Sequence, residues 1–182
     1  MTDWEGIVAR EGPAVWRTVY RLLGRRADAE ECFQETFLAA LELWRRQSVR
    51  NPRGVLLRLA TARAVDRLRQ RYRRAGRETA AEWDAVPHPG EGPPHQAAAN
   101  ELSQCLREAL TLLPDQQADV FCLNALEGWS YAEVAEELGI SVDAVGVLLH
   151  RGRARLRAAL AEWRPGGAGE CSEGGPKARV SE

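Results

Sequence analysis

Apolar residues recur at helical spacing along most of the chain, and one proline-rich stretch interrupts the pattern. The apolar residues between Phe33 and Trp44, for example, advance by four, three, one and three positions, which places them on one face of a helix. No strand-like alternation of useful length is present in the sequence. Between residues 78 and 96, four prolines and two glycines break the periodicity. The pattern predicts an all-α fold: two small helical domains joined by a flexible, acidic, Pro-rich linker.

The breaks in periodicity also give the domain boundaries. We predict a first domain over residues 1–77, a linker over 78–96 and a second domain over 97–163. The remaining residues, 164–182, are rich in glycine and proline and are expected to form a disordered tail.

Two helix starts and one break can be predicted within the first domain. Gly12-Pro13 predicts a short helix followed by a longer one. Asp28 has the position of an N-cap, with Glu31 three residues later. Asn51-Pro52 predicts the start of a helix to about Ala75, because proline suits the first helical position. The side chains of that helix expected to face the core are Leu57, Ala60, Ala64 and Leu68.

The formal net charge of −1 conceals three blocks of charge. From Arg45 to Arg77 there are twelve arginines and one acidic residue, and from Glu78 to Val142 there are twelve acidic residues and one arginine. From Asp143 to Arg164 arginine again predominates. Two basic segments separated by an acidic one indicate two contacts with a polyanion, and nucleic acid is the polyanion that we favour. Solvated helix faces are the alternative.

The sequence offers no site for catalysis, a metal or a cofactor. No C-x-x-C pair and no histidine at ligand spacing accompanies any of the cysteines, and no Gly-rich phosphate loop or nucleophile elbow is found. We therefore expect no enzyme activity, no cofactor and no small-molecule substrate. The cysteines that fall in apolar patterns, Cys32 and Cys122, are expected to be buried.

The chain carries no signal for membrane insertion or export. No apolar run exceeds the five residues from Phe37 to Leu41, and the N-terminus lacks the basic and apolar blocks of a signal peptide. We expect a cytoplasmic protein without membrane insertion.

Residues 130–145 have the pattern of a helix-turn-helix. Ser130 precedes a helix with Glu133 in capping-box position, and Gly139 suits the left-handed conformation of a tight turn. Ser141 then caps a second helix, and the N-terminal part of such a helix enters the major groove of DNA. Two helices joined by a glycine turn without a DNA contact are the alternative. The apolar seam of the second helix is Val145, Leu149, Gly152, Leu156, Leu160 and Trp163.

Several segments resemble the extracytoplasmic-function (ECF) sigma factors of the sigma-70 family. The segment Asp28–Ala40 is similar to the family's segment that binds core RNA polymerase, and residues 51–60 and 64–69 are similar to its next helix. Residues 113–117, 127–135 and 149–156 resemble the C-terminal domain of the family. The resemblance covers about 7–75 and 97–161.

The resemblance implies a role for particular residues of the first domain. Docking on the clamp helices of the polymerase is implied for Asp28, Glu31, Gln34, Glu35 and Phe37. Binding of the melted minus-ten element is implied for the loop residues Ser48, Arg50, Asn51 and Arg53, and tracking of phosphates for Arg63, Arg67 and Arg71.

The resemblance also assigns the helix-turn-helix to the minus-thirty-five element of promoter DNA. The residues implied are Ser130, Tyr131, Ser141, Asp143, Val147, His150, Arg151 and Arg153. Family members usually carry a polar triplet where this chain has Gly146-Val147-Leu148. Val147 should face outward and can meet a thymine methyl, but it cannot form a bidentate hydrogen bond to a base. Reading of this element is therefore expected to be weak, unusual or displaced onto Asp143, His150 and Arg151.

The resulting prediction is a sigma factor that binds core RNA polymerase and directs promoter recognition and melting, with an anti-sigma factor implied as a partner. One alternative is a degenerate sigma-like module that binds another protein. A second is a helix-turn-helix regulator that acts without polymerase, which would have no need of the docking segment around Gln34.

Overall fold

The computed structural model describes residues 3–75 and 94–161, with side chains from residue 100 onward in the second range. An N-terminal bundle consists of α1 (Trp4–Leu23), α2 (Arg26–Arg46) and α3 (Pro52–Ala75). A C-terminal bundle consists of α4 (Pro94–Thr111), α5 (Asp115–Phe121), a π turn (Cys122–Leu126), α6 (Tyr131–Leu138) and α7 (Val142–Leu160). No strand occurs within these ranges, which confirms the all-α prediction.

Helix α1 is continuous, so the predicted break at Gly12-Pro13 is wrong. Pro13 lies inside the helix and is exposed, as is Ala9 one turn earlier, so water can reach the Ala9 carbonyl that the proline leaves without a donor. Ile7 on one side of the proline and Val15 on the other are both buried. Burial of both halves in one core keeps the helix intact.

The predicted N-cap at Asp28 is also wrong. Helix α2 begins at Arg26, after Gly24 closes α1 with a φ of 71°, and its N-cap residue Arg25 makes no side-chain capping bond. Asp28 is the third residue of the helix. Its carboxylate lies 3.7 Å from Arg71 of α3, so it serves a contact between helices instead of a cap.

The start of α3 and its buried face follow the prediction. The Asn51 side chain accepts a hydrogen bond from Gly54 N at 3.0 Å, and Pro52 is the first helical residue. The four predicted core residues of α3 are fully buried: Leu57, Ala60, Ala64 and Leu68.

The helix-turn-helix has both predicted caps. Ser130 Oγ accepts from Glu133 N at 3.3 Å, and the Glu133 carboxylate accepts from Ser130 N at 2.8 Å, which completes the capping box. Gly139 is left-handed with a φ of 64°, and Ser141 Oγ accepts from Ala144 N at 3.1 Å. The predicted seam residues Val145, Leu149, Gly152 and Leu156 are buried, Leu160 is half-buried, and Trp163 lies outside the described residues.

The two bundles are in contact with each other. Helices α4 and α5 and the π turn pack against α3, and α4 and α5 also pack against α7. Most of the predicted linker and the whole predicted tail lie outside the described residues, and α4 begins within the last residues assigned to the linker. In the described part of the chain, no helix is both long and apolar enough to cross a membrane.

Candidate nucleic-acid and protein interfaces

A row of ion pairs joins α2 to α3. Arg67 donates to Glu31 at 2.8 Å and to Glu35 at 2.7 Å. Arg63 lies 4.0 Å from Glu35, and Arg71 pairs with Asp28. The hydrogen bond from Arg67 lowers the pKa of Glu31, and the pair of carboxylates raises the pKa of Arg67. The three acidic residues predicted to dock on polymerase and the arginines predicted to track phosphates therefore neutralise one another.

Four exposed arginines of the N-terminal bundle lie in or next to the α2–α3 loop. Arg45, Arg46, Arg50 and Arg53 are exposed, and none makes an ion pair with another described residue. Ser48 is exposed in the same loop. This loop, rather than the arginine stripe of α3, presents unpaired positive charge to a polyanion.

The outer face of α2 differs from the prediction at one residue. Gln34 and Glu31 are exposed, as docking residues must be, but Phe37 is only 8% exposed. Its ring lies 4.8 Å from the ring of Phe33 and 6.2 Å from that of Trp4, measured between centroids. Phe37 is therefore a core residue, because a large aromatic side chain gains most from burial.

The exposed apolar residue of this face is Leu38, which sequence reasoning missed. It is 63% exposed and lies four residues after Gln34, so the two side chains occupy adjacent turns of one helix face. The four-residue spacing from Gln34 is the sequence signal that places Leu38 on the same face.

The exposed surface of the helix-turn-helix combines apolar and basic residues. Val147 is 49% exposed, which confirms that it faces outward, and Tyr131 is 39% exposed. Val142, at the first turn of α7, is also 49% exposed and was not singled out from the sequence. Ser130 and Ser141 act as caps, and the polar residues Asp143, His150, Arg151 and Arg153 are exposed.

The basic end of α7 is not neutralised within the described residues. Arg151, Arg153, Arg155 and Arg157 are exposed and form no ion pair there. Arg153 makes one neutral contact, with the side-chain oxygen of Asn124 at 3.3 Å. In contrast to the stripe on α3, these arginines are available to phosphates.

Several carboxylates of the C-terminal bundle face the N-terminal bundle, and no sequence signal pointed to them. Glu137 pairs with Arg58 of α3, and Glu127 accepts a hydrogen bond from Thr18 of α1. Asp119 is largely buried near Arg58, and burial raises its pKa to about 6. Such placement depends on how the helices pack, which local spacing does not reveal.

The thiols of Cys32 and Cys122 are not placed for reaction. Cys32 and Cys122 are buried, as predicted, and burial raises the pKa of both, that of Cys32 to about 11. Over residues 3–75 and 94–161, no group of three His, Cys, Asp or Glu side chains could hold a metal ion.

Two family models match the chain in the order of its two bundles. Sigma-70 region 2 matches residues 7–74, and Sigma-70, region 4 matches residues 103–156. The first match spans the N-terminal bundle, and the second contains the helix-turn-helix.

Characterised relatives match across both bundles. The ECF RNA polymerase sigma factor SigE of Mycolicibacterium smegmatis is 32% identical over 162 residues, covering 89% of this chain and 63% of that relative. This chain thus spans less than two thirds of the length of SigE. The RNA polymerase sigma factor CarQ of Myxococcus xanthus is 32% identical over 167 residues, covering 87% of this chain and 90% of CarQ.

Two solved structures share the fold. The sigma factor RpoE of Bartonella quintana, in complex with the anti-sigma factor NepR, aligns with a TM-score of 0.53 at 20% identity. That alignment covers 90% of this chain and 100% of RpoE. CnrH, in complex with the cytosolic domain of CnrY, aligns with a TM-score of 0.53 at 25% identity over 87% of each chain.

Proposed function

The chain belongs to the ECF sigma factors of the sigma-70 family, and we propose that it binds core RNA polymerase and directs it to promoters, which it helps to melt. The observation that carries this function is the order of the two bundles. A domain with an exposed docking helix and a basic loop precedes a helix-turn-helix with both caps formed. A regulator acting without polymerase would not need the first domain.

The docking surface for polymerase is the exposed face of α2. Glu31, Gln34 and Glu35 supply polar groups there, and Leu38 supplies the apolar anchor. An exposed apolar side chain ringed by polar groups is typical of a protein contact. Phe37 supports this face from below by packing in the core, and Asp28 fixes α2 against α3.

The minus-ten element is bound by the α2–α3 loop. Its exposed arginines attract the phosphates of the melted strand, and Ser48 and Asn51 offer hydrogen-bonding groups to bases. Arg63, Arg67 and Arg71 contribute less to DNA binding than their number suggests, because carboxylates of α2 already neutralise them.

The minus-thirty-five element is read by the N-terminal half of α7. Val147 projects outward where most family members place a polar residue, so it reads a thymine methyl group by apolar contact. Ser130, Tyr131 and Ser141 lie at the starts of the two helices, where backbone N–H groups face phosphates. The exposed arginines from Arg151 onward hold the neighbouring backbone.

An in vitro transcription experiment tests the function. Core RNA polymerase is incubated with sheared genomic DNA of the source organism, with and without the protein, and the transcripts are sequenced. We expect new 5′ ends that share a common pair of upstream elements. Transcripts that are the same with and without the protein, together with no association with core polymerase, would contradict the proposal.

A protein partner for the apolar surface of α7 is a second candidate function. Val142 and Val147 are both half exposed, and Gly146 between them carries no side chain. Both aligned sigma factors were solved in complexes, RpoE with an anti-sigma factor and CnrH with CnrY, and we propose an anti-sigma partner for this chain too. Loss of partner binding on Val147→Lys without loss of transcription would favour this use of the surface.

A further inference from the structure

The side chain of Asn124 joins the segment before the helix-turn-helix to α7. Its Nδ2 donates to the carbonyl of Trp129 at 2.7 Å, and its Oδ1 accepts from Arg153 Nη2 at 3.3 Å. A carbonyl only accepts and a guanidinium group only donates, so these two partners fix the orientation of the amide. One side chain thus bridges the residue before the Ser130 cap and an arginine of α7.

The π turn places Asn124 for both contacts. Asn124 is the third residue of the turn Cys122–Leu126, and its backbone carbonyl accepts from Gly128 N at 3.2 Å. Trp129 N donates to the carbonyl of Leu123 at 3.1 Å. Single π turns in helices frequently occur at functional sites. Here the turn fixes the two residues that lead to α6, and with them the position of the Asn124 amide.

The partner of Arg153 is neutral, so the arginine keeps its charge. On α3 the partners of Arg67 are carboxylates, and these ion pairs cancel the positive charge. An amide oxygen accepts the same hydrogen bond without carrying a net charge. Arg155, two residues further along α7, is exposed as well but makes no contact of this kind within the described residues. Arg153 is therefore both restrained and available to an anion.

We propose that Asn124 is a positioning residue, which holds the guanidinium group of Arg153 in place for a phosphate of the DNA bound by α7. The proposal rests on the proposed function in one respect, namely that the exposed arginines of α7 contact DNA. A long side chain loses conformational freedom when it binds, and a hydrogen bond formed beforehand reduces that loss. Asn124 acts through Arg153 and is not itself a phosphate ligand.

The same bridge ties Arg153 to the start of α6. Trp129 directly precedes the Ser130 cap, where backbone N–H groups are placed for a second phosphate in the proposed function. The bridge through Asn124 therefore keeps the two phosphate contacts of the helix-turn-helix at a fixed separation.

The mobility of the arginine side chains tests positioning in the full chain without DNA or polymerase. Nitrogen relaxation measured by NMR at the Nε–H groups reports how strongly each guanidinium group is restrained. We expect Arg153 to be more restrained than Arg155 in the wild type, and as mobile as Arg155 in Asn124→Ala. Equal mobility of the two arginines in the wild type would overturn the proposal.

Two double-mutant cycles test the effect of Asn124 on DNA binding. Asn124→Ala is combined with Arg153→Ala and, as the matched control, with Arg155→Ala. Each full-chain variant is assembled with core RNA polymerase, and its affinity is measured for a duplex with a promoter found by transcript sequencing, in the presence of excess DNA without that promoter. We expect Asn124→Ala to weaken binding about threefold in the wild-type and Arg155→Ala backgrounds and to have no effect in the Arg153→Ala background. An equal loss in all three backgrounds would show that Asn124 only stabilises the fold, and would overturn its positioning role.

Asn124→Asp separates position from charge. Like Asn124→Ala, it loses the donor to Trp129, but it keeps an acceptor for Arg153 and adds a negative charge. We expect it to reduce the slope of log affinity against log salt by about 0.9, the value for one phosphate contact, whereas Asn124→Ala leaves the slope unchanged. Equal slopes in the two variants would overturn the contact between residue 124 and Arg153 in the bound state.

Failure of the proposed function gives a different result from failure of the positioning role. If the wild-type chain gives core polymerase no preference for promoter DNA, the proposed function is contradicted. The relaxation measurement on the free chain then still decides whether Asn124 restrains Arg153.

Discussion

The guanidinium group of Arg67 lies 2.7 Å from the carboxylate of Glu35 and also donates to Glu31. These pairs hold α3 against α2 and cancel the charge of the arginine. Arg50, in the loop between the same two helices, is exposed without an ion pair to any described residue. Two arginines of one bundle therefore differ in their availability to DNA.

Substitution of these two arginines should separate binding from stability. We expect Arg50→Gln to weaken binding of a fluorescent single-stranded oligonucleotide severalfold and to reduce the slope of log affinity against log salt by about 0.7. We expect Arg67→Gln to change affinity much less and to lower the free energy of unfolding by about 1 kcal/mol. Fluorescence anisotropy and urea unfolding measure the two effects. A larger loss of affinity in Arg67→Gln than in Arg50→Gln would show that the arginines of α3 are the main phosphate contact.

The neighbours Phe37 and Leu38 should respond to truncation in different assays. Leu38→Ala removes an exposed side chain, so we expect an affinity for core polymerase several times lower with unchanged stability. Phe37→Ala leaves a cavity in the core and should lower the free energy of unfolding by about 3 kcal/mol.

Leu112→Ala is the matched control for Leu38→Ala, because Leu112 is 61% exposed but lies in the C-terminal bundle. Polymerase affinity is measured by pull-down titration and stability by thermal unfolding. Equal affinities for Leu38→Ala and Leu112→Ala would contradict the assignment of Leu38 to the docking surface.

The features that sequence analysis predicted correctly depend on residues close together in the chain. The capping box of Ser130 and Glu133 and the left-handed Gly139 are fixed by spacings of three residues and by one backbone conformation. The buried face of α3 follows equally from helical periodicity. Residues over such short spans determine their own geometry.

The features that sequence analysis missed depend on which helices pack against one another. The sequence predicts a cap at Asp28, but in the structure this carboxylate pairs with Arg71 of α3. The resemblance implies a phosphate contact for Arg67, but two carboxylates of α2 pair with its guanidinium group. From the sequence alone, Glu137 cannot be distinguished from an exposed glutamate of α6. Only the packing of the two bundles gives it a partner in Arg58.

Val147 should make the minus-thirty-five contact sensitive to a single methyl group. On a promoter found by transcript sequencing, uracil is substituted for the thymine that faces α7. We expect this change to weaken binding of the wild-type protein about fourfold, since one buried methyl group contributes about 0.8 kcal/mol. The Val147→Ala variant should bind both duplexes almost equally.

Val142→Ala is the control for this double-mutant cycle, because Val142 has the same exposure on an earlier turn of α7. Electrophoretic mobility shift at fixed salt measures the four affinities of each cycle. A loss on uracil substitution that is the same in Val147→Ala as in the wild type would show that this side chain does not read the methyl group.

Asp119 should make the stability of the protein depend on pH. Burial raises its pKa to about 6, above the value of about 3.9 for a free aspartate, so the folded state holds its proton more tightly than the unfolded state. The contribution of Asp119 to the free energy of unfolding therefore falls as the pH rises from about 4 to 6 and is constant above that range. Asp119→Asn removes the effect, and its gain in free energy of unfolding should be about 1 kcal/mol larger at pH 8 than at pH 5. Urea unfolding at both pH values measures the gain, with Glu136→Gln as the control, because that carboxylate is exposed and forms no ion pair with another described residue. A gain for Asp119→Asn that is equal at the two pH values would show that Asp119 titrates normally in the folded protein.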